Sequence, residues 1–283
     1  MTLFSRTASG TGRRVMHRRH WGPWIFGAIV LVLLARLVAA AVSSDVIDGR
    51  IFLDYVFSEN ILVGARNSIL LGTIALILAV AVGLVVAMMR VSGNPILVSF
   101  AASYVYLFRG TPMLIQLIFW FNAFPIMFPQ LHLVIPFTGI VLVDMPLTQV
   151  ITPYAAALAG LSLAEGAYMA EIIRGGFLAV DQGQRDAARA IGMTEGQVMR
   201  KVVIPQAARV VVPATGNQYI MLLKSTSLAS AIGYLELLRI TTDIYAANFR
   251  VVELLAVAGF WYLVMTAVAT TLQTTLEKLY PHR

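Results

Sequence analysis

The sequence predicts an all-α membrane protein with six transmembrane helices, and three observations predict it. Of 283 residues, 59% are hydrophobic and only 12% are charged, whereas soluble domains carry about 25% charged residues. The apolar residues gather into six runs long enough to span a bilayer, which takes about 20 residues each. The basic residues sit in short clusters beside those runs, as topology signals do. A net charge of +7 distributed this way argues against nucleic acid as a partner and for membrane lipid. The chain has no cysteine, which excludes disulfides and thiolate chemistry. Its four histidines are scattered, so no metal site is expected.

The first run covers residues 24–42 and follows an arginine-rich segment. A cleaved signal peptide is the competing reading, since the run ends near Ala39-Ala40-Ala41. The run is long for a signal core and Arg36 interrupts it, so a retained helix is expected. Residues 43–60 follow as an acidic outer loop. The second run, 67–89, is free of charge, and the third, 96–121, is interrupted by Arg109 and Pro112. The segment 122–152 holds four prolines and no lysine or arginine, and it is apolar enough to lie in the interface or cap the bundle. The fourth run is 153–173, the fifth 210–235 and the sixth 254–276.

Six spans put both termini on one side. Fourteen of the 21 basic residues then fall on that side, including Arg6 to Arg19, Arg90 and the group from Arg174 to Arg209. Only Arg50, Arg66, Arg239 and Arg250 fall opposite. The positive-inside rule places both termini in the cytoplasm, together with a polar island at 181–205.

That island reads DQGQRDAARAIGMTEGQVMRKVVIP. Asp181 and Gln184 have capping-box spacing, as do Thr194 and Gln197. Between the two caps, the first helix is expected to carry Gln184, Ala187, Ala188 and Ile191 on one face. Gly192 then permits a sharp turn. The second helix carries Val198, Met199, Val202 and Val203 on one face, and Pro205 suits the first turn of the next span. Physics alone leaves two readings open, a helix pair lying on lipid headgroups or a docking element for another protein.

Charges inside spans cost about 2.5–3.5 kcal/mol at mid-membrane, so they face the bundle interior or a cavity. Arg109 precedes Gly110-Thr111-Pro112, where Pro112 removes a donor and disfavours helix at Thr111. A broken helix is expected there. Arg109 either pairs structurally with a carboxylate or with freed carbonyls, or serves gating or a substrate carboxylate. Lys224 heads Lys224-Ser225-Thr226-Ser227 in the fifth run, where it either snorkels, forms a structural ion pair, or lies in a translocation path. Glu165 and Glu171 lie about 120° apart around the fourth helix. Glu171 is expected to pair with Arg174. Glu165 either meets a cationic group of a substrate or pairs with Lys224 or Arg109. Asn67, Ser68, Thr73, Asn217 and Gln218 are expected to hydrogen-bond between helices, or to line a cavity.

The spacing Asp186-Ala187-Ala188, three residues, Gly192, nine residues, Val202-Val203-Ile204-Pro205 resembles the EAA loop of ABC importer permeases, with Asp for Glu, Val for Ile and Ile for Leu. The segments YVYLFRGTPMLIQLIFWF (Tyr104–Phe121), AYMAEIIRGGFLAVDQGQ (Ala167–Gln184) and NQYIMLLKSTSLASAIGYLEL (Asn217–Leu237) are similar to the polar amino acid branch of that family, the histidine, glutamate, glutamine and arginine type. The resemblance covers roughly residues 61–280. It implies a type I importer domain at 61–283, with a five-helix core, preceded at 1–60 by the basic N-terminus, one extra helix and the acidic loop.

The resemblance further implies a multi-pass subunit of the bacterial inner membrane that forms the translocation path for an amino acid. Its partners would be a cytoplasmic ABC ATPase dimer, a second permease subunit of the same or a paralogous chain, and a periplasmic or lipid-anchored amino acid binding protein. ATP and Mg would be bound by the ATPase, since this chain has no G-x-x-x-x-G-K-[ST] sequence; it is not expected to be an enzyme. Gln184, Asp186, Ala187, Ala188, Gly192, Met193 and Pro205 would couple to the ATPase. Arg109, Thr111, Glu165, Asn217, Lys224 and Ser225 are candidates for the substrate path. The competing class is an ion-coupled secondary transporter using Glu165, Lys224 and Arg109 as a charge relay. A non-transporting sensor subunit is a third reading.

Overall fold

The computed structural model describes residues 21–43, 48–135, 137–138 and 140–279. The basic stretch from Arg6 to Arg19 and the terminal Arg283 lie outside the described residues. The chain forms two compact units, residues 1–48 and 49–283. Among the described residues the first unit contributes one helix, α1 (Trp21–Ser43), whose apolar part runs from Trp24 to Arg36.

In the second unit a short helix α2 (Gly49–Val56) leads into the long α3 (Glu59–Val91). Pro95 starts α4 (Pro95–Gly110), with the Asn94 side chain accepting from the Ile96 N–H at 2.9 Å. After the break come α5 (Met113–Ile118), a π-helical turn at Phe119–Ala123 and α6 (Phe124–Met127). A hairpin of β1 (Gln130–Val134) and β2 (Val141–Pro146) follows, antiparallel, with His132 opposite Asp144 and a bulge at Leu133/Val134. The short α7 (Leu147–Val150) precedes α8 (Pro153–Leu178). The island contains α9 (Gln182–Ala190) and α10 (Glu195–Val198), and a π-helical turn at Met199–Val203 joins it to α11 (Ile204–Ser225). A 3-10 stretch, Thr226–Ile232, then α12 (Leu237–Asn248) and α13 (Val251–Leu279) complete the described chain.

Among the described residues, three helices are long and apolar enough to cross a membrane: Glu59–Val91, Pro153–Leu178 and Val251–Lys278. The α4 segment and Met113–Met127 make a fourth if the 104° bend between them belongs to one broken span. This matches the break expected at Thr111-Pro112. The fifth run, expected at 210–235, is not one long helix. It divides at Ser225, where α11 gives way to the 3-10 stretch. The apolar segment 122–152, expected to lie in the interface or cap the bundle, contains the hairpin, the one β-sheet among the described residues.

Helices in lipid gain little from the hydrophobic effect between one another, so close packing of small residues holds them. Along α3, Ala75, Ala79, Gly83 and Ala87 recur every fourth residue and all are buried. This small-residue seam faces α8, whose Ala167, Met169 and Ala170 are also buried. A Cβ on Gly83 would lie 2.6 Å from Met169 Cβ and 2.9 Å from Ala170 N. Only glycine permits that approach.

Polar groups complete the joints. Glu236, fully buried, caps α12 by accepting from the Leu238 and Arg239 N–H groups at 2.9 and 2.7 Å. The same carboxylate accepts from Tyr262 of α13 at 2.7 Å and from Ser68 of α3 at 3.3 Å. One side chain thus joins three helices. Trp261 of α13 donates its indole N–H to the Val56 carbonyl at 2.6 Å, which fixes α2.

Candidate functional site

The island is a helix, a glycine elbow and a second helix. Asp181 caps α9, its Oδ1 accepting from the Gly183 N–H at 2.8 Å. Only this half of the expected capping box forms, because Gln184 reaches Asp181 through backbone alone, N–H to carbonyl at 3.2 Å. The second box is complete: Gln197 N–H donates to Thr194 Oγ1 at 3.4 Å, and Thr194 N–H to Gln197 Oε1 at 2.9 Å. Between them Gly192 has φ +83°, the left-handed region that glycine enters at no steric cost. Its N–H donates to the Arg189 carbonyl at 2.9 Å, and the Met193 N–H to the Ala188 carbonyl at 3.2 Å. Those bonds satisfy the last carbonyls of α9.

Arg189 locks the elbow from outside, with Nη1 2.8 Å from Asp186 Oδ1 and Nε 2.6 Å from Glu195 Oε1. Asp186 also accepts from Gln182 Nε2 at 3.0 Å. Arg189 is the largest influence on Glu195, and it holds that carboxyl below its ordinary pKa. Arg185 donates to the Phe177 carbonyl and ties α9 to the end of α8.

The expected single face of α9 divides. Ala188 is buried, whereas Gln184, Ala187 and Ile191 are exposed, Ile191 by 75%. The reason is that Ala188 joins Ile173, Phe177, Val180, Val198, Val203 and Ala207 in one apolar cluster under the elbow. The inward face expected for Val198 to Val203 is present: Val198 and Val203 are buried, and Met199 and Val202 pack against the same cluster. Met193 also packs there, and Pro205 lies in the first turn of α11. The result is an exposed ridge of Ala187, Ile191 and Gly192 on a firm apolar base.

Inside the bundle, Glu165 is 3% exposed. Gln218 of α11 is its polar neighbour across the helix interface. Glu165 Oε1 and the Ser162 hydroxyl, one turn away on α8, have no hydrogen-bond partner among the described residues. Thr73 and Tyr219 meet at 2.9 Å between α3 and α11. The expected pairs of Glu165 with Lys224 or Arg109 do not form among the described residues, because Lys224 and Arg109 both lie on exposed positions elsewhere. Asn217 is exposed as well, and Ser225 donates to the Met221 carbonyl at 3.1 Å.

Arg109 stacks over Tyr168, its guanidinium carbon 5.0 Å from the ring centroid. The carbonyls freed by the break are served instead by Gln116, whose Nε2 donates to Phe108 O at 2.9 Å and to Thr111 O at 3.0 Å. Thr111 donates its hydroxyl to Leu107 O at 2.9 Å. Glu171 pairs with Arg174 at 2.6 Å as expected, and also with Arg90 at 3.6 Å. Gln116, Ser162 and Tyr219 were not singled out by sequence. Gln116 carries the same signal that marks Arg109, a polar residue within an apolar run.

A family model described as binding-protein-dependent transport system inner membrane component matches residues 79–280. The arginine transport system permease protein ArgU of Corynebacterium glutamicum is 38% identical over 261 residues, covering 92% of this chain and 80% of that protein. The nopaline transport system permease protein NocM of Agrobacterium fabrum is 36% identical, covering 78% of this chain and 88% of that one. The glutamine transport system permease protein GlnP of Escherichia coli is 32% identical, with 76% and 90% covered. Among solved structures, an amino acid ABC transporter crystallised with histidines matches with a TM-score of 0.69 and 32% identity, over 82% of this chain and 98% of that one. The inward-facing MetNI methionine ABC transporter shares the fold, with a TM-score of 0.61 at 18% identity and coverage of 80% and 100%.

Proposed function

The chain belongs to the binding-protein-dependent transport system inner membrane components, and on that premise we propose that it forms the path of an ATP-driven amino acid importer and couples that path to cytoplasmic ATPase subunits through residues 181–205. The observation that carries this reading is the elbow. Ala188, Val198 and Val203 anchor it to α8 and α11, while Ala187, Ile191 and Gly192 are left for a partner. A lever needs both properties, a rigid joint to the bundle and a free face for the motor.

In this proposal the chain crosses the bacterial inner membrane six times with both termini in the cytoplasm, as its basic residues suggest. Two permease subunits, identical or paralogous, meet two ATPases that bind ATP and Mg, and a binding protein delivers substrate from outside. Closure of the ATPases drives the two elbows together and rocks the bundles between inward-open and outward-open states. Gln184, Asp186, Ala187, Ala188, Gly192, Met193 and Pro205 form or support the coupling surface.

The relatives' names support amino acids as the substrate class. Glu165, buried with one oxygen unpartnered, supports contact with the substrate's ammonium or a cationic side chain. Asn217, Lys224 and Ser225 of α11 remain further candidates for the path in this proposal. Arg109 and Thr111 act at the break in α4 instead. A charge relay for an ion-coupled carrier finds no support, since Glu165, Lys224 and Arg109 make no ion pair with one another among the described residues. The test is Gly192→Pro in the assembled complex. Proline fixes φ near −65° and removes the N–H that bonds Arg189, so ATP hydrolysis should continue while uptake into vesicles stops. Normal uptake in this variant would sink the coupling role.

A further inference from the structure

The α3–α4–α8 junction holds a charged cavity, and Arg109, which the proposed function sets at the break in α4, is one of its lining residues. The cavity has a volume of about 500 Å³ and is lined by Arg90, Tyr106, Arg109, Tyr168 and Glu171 among others. We infer that it is a headgroup site for an anionic phospholipid, with Arg90 and Arg109 as the ligands of its phosphate.

Charge supplies the first argument. Arg174 occupies Glu171 at 2.6 Å, while Arg90 reaches the same carboxylate at 3.6 Å, beyond hydrogen-bond length. The guanidinium of Arg109 has the Tyr168 face as its contact. The lining thus holds two guanidiniums against one carboxylate that Arg174 already pairs from outside it, and the cavity keeps an excess of positive charge. Arginine presents planar N–H forks that match phosphate oxygens, and a charge this close to lipid demands such a partner.

Position supplies the second. Arg90 lies in the last turn of α3, where the span ends on the side that the basic residues mark as cytoplasmic. Basic pockets between helices at that level suit the headgroups of anionic lipids. Surroundings supply the third. Phe100, Tyr106 and Leu107 of α4 are 66%, 83% and 57% exposed. An acyl chain would cover that apolar face, whereas a soluble anion would leave it bare. Tyrosine at this level is an interfacial anchor. A bound lipid would bridge Arg90 of α3 to Arg109 at the far end of α4, and so brace the bent segment.

The test uses the full permease–ATPase complex in nanodiscs of phosphatidylcholine alone or mixed equally with phosphatidylglycerol. Native mass spectrometry after detergent release counts retained phosphatidylglycerol. Wild type should retain it selectively, and Arg109→Gln and Arg90→Gln should each weaken retention about tenfold or more, the effect of losing a charge-assisted bond. Arg239→Gln, in the α12 ion pair with Asp243, should retain it as wild type does. Monodisperse elution of each variant separates lost binding from lost folding, and the two cavity variants are independent. Equal retention in both cavity variants and wild type would overturn the site. Displacement of the lipid by inorganic phosphate alone would assign the cavity to a soluble anion and overturn the lipid reading.

Discussion

Arg189 meets Glu195 at 2.6 Å across the Gly192 turn, so a single guanidinium on α9 holds the first residue of α10. The same group holds Asp186 at 2.8 Å, which makes Arg189 the brace between the two arms of the elbow. Exposed ion pairs are weak individually, so Glu195→Gln should leave the protein folded. It should loosen the elbow and lower uptake about two- to fivefold at constant ATPase activity. The pair also has a pH signature. Arg189 depresses the Glu195 carboxyl below its ordinary 4.5. The contribution is therefore full above 4.5 and is lost as pH falls through the lowered value. Amide exchange across residues 186–197 should rise in that acid range for wild type, and Glu195→Gln should show no such step.

Gly83 predicts a packing defect. A valine there would place carbon inside contact distance of Met169 and Ala170, at the centre of the α3–α8 seam. Overpacking of this kind costs about 1–3 kcal/mol, and backbone on the opposing side cannot move aside cheaply. Gly83→Val should lower the thermal midpoint of the purified complex by several degrees. An unchanged midpoint would mean that the seam is looser than the structure shows.

The contrast between these two places explains what the sequence could disclose. The elbow is local: caps, a glycine and a proline act on neighbouring residues, so Asp181, Gly192, Thr194 and Pro205 announce it. The break at Pro112 is local for the same reason. The seam of Ala75, Ala79, Gly83 and Ala87 is periodic, yet nothing in the chain says that α8 is its partner. Likewise Ala188 and Ala187 are adjacent and chemically identical. Only the cluster beneath the elbow turns one inward and leaves the other exposed. Glu165 was visible as a costly charge, but its neighbour Gln218 lies on a different helix, and long-range pairings of that kind are not encoded in spacing.

Gln116 carries the break in α4. Its amide donates to the Phe108 carbonyl, which Pro112 leaves without its helical donor, and to the Thr111 carbonyl in the break itself. Gln116→Leu keeps the apolar bulk and strands both. A buried unsatisfied acceptor costs about 1–3 kcal/mol, so the complex should lose several degrees of thermal stability. Spin labels on α4 and α5 should report a broadened distance distribution in place of the 104° bend. A sharp, wild-type distribution would show that the bend is held by something other than Gln116.

Glu165 gives the decisive prediction for substrate, because binding and stability should move in opposite directions. The carboxylate is 3% exposed, and its Oε1 and the nearby Ser162 hydroxyl have no partner among the described residues. A buried charge without full compensation destabilises the empty protein. Glu165→Gln removes the charge at nearly constant volume, so the thermal midpoint of the purified complex should hold or rise. If the carboxylate receives a cationic group in transit, the same change removes a charge-assisted hydrogen bond worth about 1.5–3 kcal/mol. Half-saturation for uptake into proteoliposomes should then rise about 10- to 100-fold, with ATPase stimulation shifted in parallel. Varying the amino acid side chain identifies the group that is met. A loss confined to cationic substrates assigns Glu165 to the side chain, and an equal loss for neutral ones assigns it to the ammonium. Unchanged uptake with a raised midpoint would remove Glu165 from the path and leave it as a structural charge.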